Sequence, residues 1–294
     1  MSTTIRPVAT DDDYAHTHRV QMTVFPLEMA TTVEQMRASD TDDKLRLIAE
    51  RDGEVVGTGT AARSHLTGGA FVSPVVLPDA RRGGIGTELL HALVAHAESL
   101  EPEFIVGHAD DDGSKAFAER FGFVEVDRQV EQVRTIGAET PPPPLDGVDI
   151  VTVAQHPELW EVAYERVGQQ AFQDMALIKP LQVTLDEWHR EWMTDPAAMF
   201  LAIADGQVIG LAGLLVDPDE PTRAENALTA VRREWRGRGV AAALKRTTLA
   251  HAANNGLTEV YTWTQQNNAD MRRLNERLGY VTRQQSYTMR RMLP

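Results

Sequence analysis

Apolar and polar positions along this chain alternate in two rhythms, and the second half repeats the order of the first. Lys44-Leu45-Arg46-Leu47-Ile48-Ala49-Glu50 and Val55-Val56-Gly57-Thr58-Gly59-Thr60 flank Asp52-Gly53, which predicts a β-hairpin. Met199–Ala204 and Val208–Gly213 flank Asp205-Gly206 in the same way. Ile5–Val8, Ala70–Val76 and Phe104–Gly107 read as further strands, with Phe123–Val126 and Val130–Ile136 as a closing strand pair. Ile85, Leu89, Leu90, Leu93, Val94 and Ala97 fall at helical spacing and predict a helix with one sheet-packing face. Shorter helices are expected at Tyr14–Phe25, stopped by Pro26, at Thr32–Met36 and at Gly113–Phe121. In the second half, Val148–Val151 opens a strand, and helices follow near Glu158–Phe172 and Thr184–Met193. Thr184 and Glu187 form a capping box at the latter's start. Gln173–Gln182, with Lys179-Pro180, reads as loop.

Between strand and long helix each half carries the same turn. The first reads Val76-Leu77-Pro78-Asp79-Ala80-Arg81-Arg82-Gly83-Gly84-Ile85-Gly86-Thr87. The second reads Val231-Arg232-Arg233-Glu234-Trp235-Arg236-Gly237-Arg238-Gly239-Val240-Ala241-Ala242. The spacing Val-x4-Arg-x2-Gly is kept, and both copies close downstream on Phe121-Gly122-Phe123 or Leu278-Gly279-Tyr280. A repeat of this length is a duplicated domain. A glycine-bearing turn at a helix start leaves backbone N–H groups unpaired at the positive end of the helix dipole, a site suited to phosphate or pyrophosphate.

Arg-x-x-Gly-x-(Gly/Ala), a downstream Asn268-x-x-Met271-x-x-x-Asn275 and the closing Leu278-Gly279-Tyr280 resemble the Gcn5-related N-acetyltransferase (GNAT) superfamily. The resemblance covers nearly the whole chain, in a layout similar to that of mycothiol synthase. It implies an α/β (α+β) fold of two tandem domains, each a mixed, mostly antiparallel sheet flanked by helices. Expected boundaries are 1–138, a proline-rich linker over 139–147 that carries Pro141–Pro144, and 148–294.

Composition narrows the class further. The chain has 294 residues, no cysteine and a net charge of −14, which excludes disulfides and thiolate metal sites. His91 and His96 lie five apart, the wrong spacing for two ligands on one helix face, so no metal is expected. Residues 1–147 carry 13 Lys+Arg against 25 Asp+Glu, and residues 148–294 carry 16 against 18. That balance argues against nucleic acid, which needs a broad basic surface. Met1–Arg6 lacks an apolar signal core and no apolar run reaches membrane-spanning length, so a cytoplasmic protein, monomer or homodimer, is expected.

The resemblance implies transfer of an acetyl group from acetyl-CoA to the primary amine of a small molecule. It places the cofactor on Thr229, Ala230 and Val231, on the turn Arg236, Gly237, Arg238, Gly239, Val240, Ala241 and Ala242, and on Asn268 and Asn275. In the first copy the matching positions are Val76, Arg81, Arg82, Gly83, Gly84, Ile85, Gly86 and Thr87. An alkylamine has a pKa near 10 and must lose a proton to attack, so a general base is needed. By the same resemblance, Glu225, shortly before the second turn strand, is the best-placed carboxylate. The tyrosine usual in the last helix is absent from both copies, where Asn275 and Ala118 stand, leaving Tyr287 or Tyr261 as the acid. Asp111 and Ala118 face Asn268 and Asn275 across the repeat, so catalysis is expected in the second domain. A protein or peptide N-acetyltransferase and a non-catalytic acyl-CoA sensor are the alternatives. Phe172, Met175, Trp188 and Trp192 are candidate walls of the acceptor site.

Overall fold

The computed structural model describes residues 3–26, 31–64, 68–175, 182–218 and 220–293. Lys179-Pro180 lies outside the described residues. The chain forms two compact units, Met1–Val126 with Tyr287–Pro294, and Asp127–Ser286. The divisions therefore fall at 126/127 and 286/287, not at the proline run. Residues 139–147 belong wholly to the second unit, where Leu145 makes a lone bridge with Val148 and packs against a buried apolar cluster. Because the duplicated closing strands carry similar patterns, sequence does not say which sheet each one joins.

In the first unit the elements are β1 (Thr3–Pro7), α1 (Asp11–Val24), α2 (Val33–Ala38), β2 (Leu45–Arg51), β3 (Glu54–Arg63), β4 (Ala70–Val76), α3 (Ile85–Ser99), β5 (Phe104–Ala109) and α4 (Asp112–Arg120). β6 (Val124–Thr135) follows as one continuous strand where a pair was expected, and most of it lies in the second unit. Asp52 and Gly53 take φ of 53° and 84°, the left-handed pair that a two-residue hairpin turn requires. Thr10 and Asp13 make a reciprocal capping box at α1, and Arg6 donates to both carboxylate oxygens of Asp13 at 2.9 and 2.8 Å. The predicted face of α3 is the core: Ile85, Leu89, Leu90, Leu93, Val94 and Ala97 are all buried, against Leu47, Ala61 and Val72. Gly59 lets the helix approach, since a Cβ there would lie 2.8 Å from Leu93 Cδ1.

The second unit contains β7 (Asp149–Thr152), α5 (Leu159–Ala163), a π-helical turn at Tyr164–Gly168, α6 (Gln169–Asp174), α7 (Leu185–Glu191), β8 (Met199–Ala204), β9 (Gln207–Gly213), β10 (Leu215–Val216), β11 (Arg223–Glu225), β12 (Thr229–Val231), α8 (Val240–Asn254), β13 (Glu259–Gln265) and α9 (Ala269–Arg277). β14 (Val281–Met292) closes the chain. The second Asp-Gly hairpin forms as expected, with Asp205 and Gly206 at φ of 50° and 70°. Trp188, fully buried, stacks on Trp160 with centroids 4.3 Å apart and meets Phe172 edge-on. These residues build the core between helices and sheet, so of the four candidate wall residues only Met175 and Trp192 are partly exposed.

Each unit is completed from the other repeat. In the first, the strand order is β1–β2–β3–β4–β5–β14, with Tyr287–Met292 antiparallel to β5 in the register Tyr287↔Ala109. In the second, Gln129–Thr135 of β6 pairs antiparallel with β13, Val130 opposite Thr264.

Candidate active site

The two repeats differ most where β4 of the first unit corresponds to β11 and β12 of the second. β4 pairs with β3 without a break from Ala70 to Val76, and with β5 only at Ala70 and Phe71. In the second unit the equivalent chain splits. β11 pairs in parallel with β13, Glu225 beside Tyr261, whereas β12 leaves for β9, Val231 beside Gly210. β11 also pairs antiparallel with β10, Leu215 beside Glu225, so both halves keep to the β9–β10 side and the ladder breaks only at Asn226–Leu228. Past Glu225, β12 and β13 do not pair, and the cleft lies between them.

Register decides which amides face that cleft. Arg232 N–H donates to Ile209 at 2.9 Å, so Ala230 turns toward β9, and Thr229 and Val231 point their N–H groups to the open edge. In the first unit Leu77 N–H donates to Val56 at 2.9 Å, so Val76 and position 74 face the open edge. Position 74 is Pro74, which has no N–H to offer. The second unit therefore presents two donors and the first presents one. This difference was readable only once the register was known.

At the cleft's end both repeats build the same turn. Gly84 and Gly239 are the N-caps of α3 and α8, left-handed at φ of 87° and 84°, and neither helix start carries a side-chain cap. The first-turn N–H groups of Val240, Ala241 and Ala242 have no acceptor within the helix, and a Cβ at Gly239 would meet nothing closer than 3.9 Å. That open, uncapped helix start fits a pyrophosphate. The arginines behave differently from expectation. Arg81 Nε donates to Val76 O and Arg236 Nε to Val231 O, each at 3.0 Å, so this side chain fastens the turn to the strand. The rest of the Arg236 guanidinium pairs with Asp174 of α6, which also holds Arg233. Arg238 lies over the Trp235 ring at 4.8 Å. The Arg233 pairing first, and then that with Arg236, outweighs burial and holds Asp174 below the usual carboxylate range. Arg82 adopts φ of 66° where the second copy has Gly237 at 75°.

Glu225 ends β11 at the cleft. Burial first, and then the negative charge of Glu131, pushes its carboxyl up to about 6. Glu131 is buried and held by Arg283 Nε at 2.8 Å, while Glu259 accepts from Arg283 at 2.8 Å and Arg223 at 2.9 Å. Arg223 also covers the ring of Tyr261 at 5.0 Å. Burial, with Glu225 adding to it, raises the Tyr261 phenol, which stays protonated beside the carboxylate.

Three expected site residues take other roles. Tyr287 belongs to the first unit, buried in its core, where its hydroxyl donates to Asp112 at 2.7 Å. Its pairing with β5, rather than its nearness in sequence to the second site, decides its place. Asn275 is fully buried and donates to Gln132 at 2.9 Å and Thr264 at 3.3 Å, bracing α9 on the sheet. Asn268 is the N-cap of α9, accepting from Met271 N–H at 3.2 Å. Asp111 caps α4 in the same way, and although burial opposes its charge, the bonds from Ser114 keep its pKa low.

The acetyltransferase (GNAT) pattern matches residues 12–123 and again 159–280. This chain belongs to the GNAT family. It is 30% identical over 250 residues to a mycothiol acetyltransferase of Parafrankia sp., covering 76% of this chain and 74% of that one. The mycothiol acetyltransferase of Thermomonospora curvata is 31% identical over 242 residues, 80% and 78% of the two chains. Two solved structures share the fold across both units at 18% identity and a TM-score of 0.78. One is a GNAT protein of Sphaerobacter thermophilus, covering 99% of this chain and 95% of that one. The other is a tandem GNAT protein from the clavulanic acid biosynthesis pathway, covering 99% and 98%. The tandem GNAT fold and N-acetyltransferase class expected from the repeated turn are thereby borne out. No described helix is long and apolar enough to cross a membrane, and no group of three metal-ligating side chains forms among the described residues.

Proposed function

We propose that the second unit of this GNAT protein acetylates the primary amine of a small molecule, using acetyl-CoA. The reading rests on one observation above all: an interrupted strand that carries a buried carboxyl, raised to about 6, at the head of the cleft and open amides along the wall beyond it. Acetyl-CoA supplies the acetyl thioester. The N–H groups of Val240 to Ala242 hold its pyrophosphate, and those of Thr229 and Val231 stabilise the oxygen on which negative charge builds. Glu225, ionised above pH 6, takes the proton that the incoming ammonium must lose. Tyr261, protonated and beside Glu225 in the register, is the hydroxyl that can return a proton to the departing thiolate. With Pro74 in place of an amide, the first unit binds cofactor or serves as scaffold. The relatives' name makes an amine precursor of the mycothiol kind the first acceptor to try. Thiol release from acetyl-CoA across a panel of amino sugars, peptides and antibiotics tests this. Turnover confined to peptides would favour a protein N-acetyltransferase. Tight CoA binding with no acceptor turned over would make the protein an acyl-CoA sensor.

A further inference from the structure

α8 carries one residue that its position does not explain. Lys245 is only 1% exposed, on the face that packs against the sheet. Its Nζ donates to Asn226 Oδ1 and lies 5.1 Å from the centre of the Tyr280 ring, and among the described residues no carboxylate pairs with it. Burial pulls the ammonium down to about 7, so much of the population is the neutral amine at neutral pH. Burying an amine this way is costly, and a stability role alone does not account for it.

Asn226 is the residue at which the strand divides. Its N–H donates to Tyr261 O at 2.7 Å, on the β13 side. Its side-chain amide donates to Gly213 O at 2.8 Å, at the end of β9. Its carbonyl oxygen accepts from Lys245, with Thr229 Oγ1 at 3.5 Å, and its backbone oxygen accepts from Thr262 Oγ1 at 3.0 Å. Asn226 therefore joins β9 through its side chain and β13 through its backbone, with Glu225 immediately before it and Thr229 three residues after. The first unit offers the comparison. At the repeat offset, Lys245 and Asn226 correspond to Leu90 and Phe71, an apolar pair, and there β4 runs unbroken.

We infer that Lys245 and Asn226 are positioning residues that fix the break in the strand and so set Glu225 and Thr229 relative to each other at the second unit's cleft. The inference rests on the assignment of chemistry to that unit. Without the donor, Asn226 Oδ1 loses the bond that aims its amide at Gly213. The chain can then relax toward the continuous ladder of the first unit, which moves the base relative to the oxyanion donors. The role is geometric, so it acts on turnover more than on cofactor binding.

A double-mutant cycle tests it, with Lys245→Met, Asn226→Leu and the pair together. Each protein is assayed for kcat and for KM against acetyl-CoA with the amine on which the wild type turns over fastest. Melting temperature and hydrogen exchange over residues 226–231 are measured on the same samples. Misplacing the base should cost about tenfold to a hundredfold in kcat in each single variant, with little change in KM for acetyl-CoA. The double variant should lose no more than the worse single one. Lys245→Met should melt at or above the wild type because the buried amine is gone. Asn226→Leu, which strands that amine, should melt lower, and adding Lys245→Met should recover it. Exchange at 226–231 should change in both singles. Wild-type kcat in Lys245→Met, additive losses, a lower melting temperature for Lys245→Met or unaltered exchange at 226–231 would each overturn the inference. If no amine is turned over even by the wild type, the functional reading fails, while the melting and exchange measurements still judge the pair.

Discussion

Replacing Glu225 by glutamine separates two effects that the structure couples. The carboxyl is raised from 4.5 to about 6. At ~1.36 kcal/mol per unit, that shift corresponds to about 2 kcal/mol. The folded state binds the proton more tightly than the unfolded chain, so stability from this group is complete below pH 4.5 and is lost as pH rises through 6. At pH 7.5 the wild type therefore carries a penalty of about 2 kcal/mol that Glu225→Gln removes, equivalent to an increase in Tm of roughly 4–8 °C for a unit of this size. Activity should move the other way. Loss of a general base costs about 10²–10⁴-fold in kcat, and the acidic limb of the wild-type pH–rate profile, centred near pH 6, should vanish in the variant. Differential scanning calorimetry at pH 4 and 7.5 and a kcat profile from pH 5 to 9 measure both. A variant that keeps the limb near pH 6, or that melts lower than the wild type at pH 7.5, would refute the argument.

Gly239→Trp should abolish turnover and Gly84→Trp should leave most of it, both at a folding cost of about 1–2 kcal/mol for a side chain at positive φ; the reverse pattern would move catalysis to the first unit. Asp174→Asn removes a negative charge that pairs with Arg233 and Arg236 beside the proposed pyrophosphate site. CoA should bind up to about fivefold tighter by calorimetry at low salt, since exposed pairs of this kind are worth at most ~1 kcal/mol, and weaker binding would show that Asp174 orients the arginines for the ligand. Deleting Tyr287–Pro294 strips Tyr287 and Met289 from the first unit's core, and at about 2–5 kcal/mol for each large side chain removed the loss should unfold that unit under conditions where the second still melts cooperatively.

Much of the fold could be read from short-range pattern. The two Asp-Gly hairpins, the face of α3 and the paired turns at Arg81 and Arg236 depend on residues close in sequence, so local chemistry dictates them. What escaped depends on partners far along the chain. Tyr287 reads as a neighbour of the second site until its strand is seen beside β5. Lys245 sits at a position where a polar residue normally signals solvent, and only the packing against Asn226 and Tyr280 reveals its burial. Pro74 looks like an ordinary strand residue, and its lack of a donor matters only because register turns that edge toward the cleft. Arg236 was expected to face a phosphate, a natural reading of charge beside glycine, but Asp174 could not be foreseen from a helix 59 residues or more upstream.

The placement of Tyr287–Met292 beside β5 also sets an order of events during synthesis. The N-terminal unit leaves the ribosome before the second unit yet is finished after it, because its sixth strand is encoded beyond the whole of the second unit. At about 5–20 residues per second, the β5 edge waits on the order of 10–30 s for its partner. Over that interval the nascent chain offers an open strand edge, the surface through which chains most readily misassemble. The acidity of this half, with 25 Asp+Glu against 13 Lys+Arg over residues 1–147, makes neighbouring copies on one polysome repel each other while they wait.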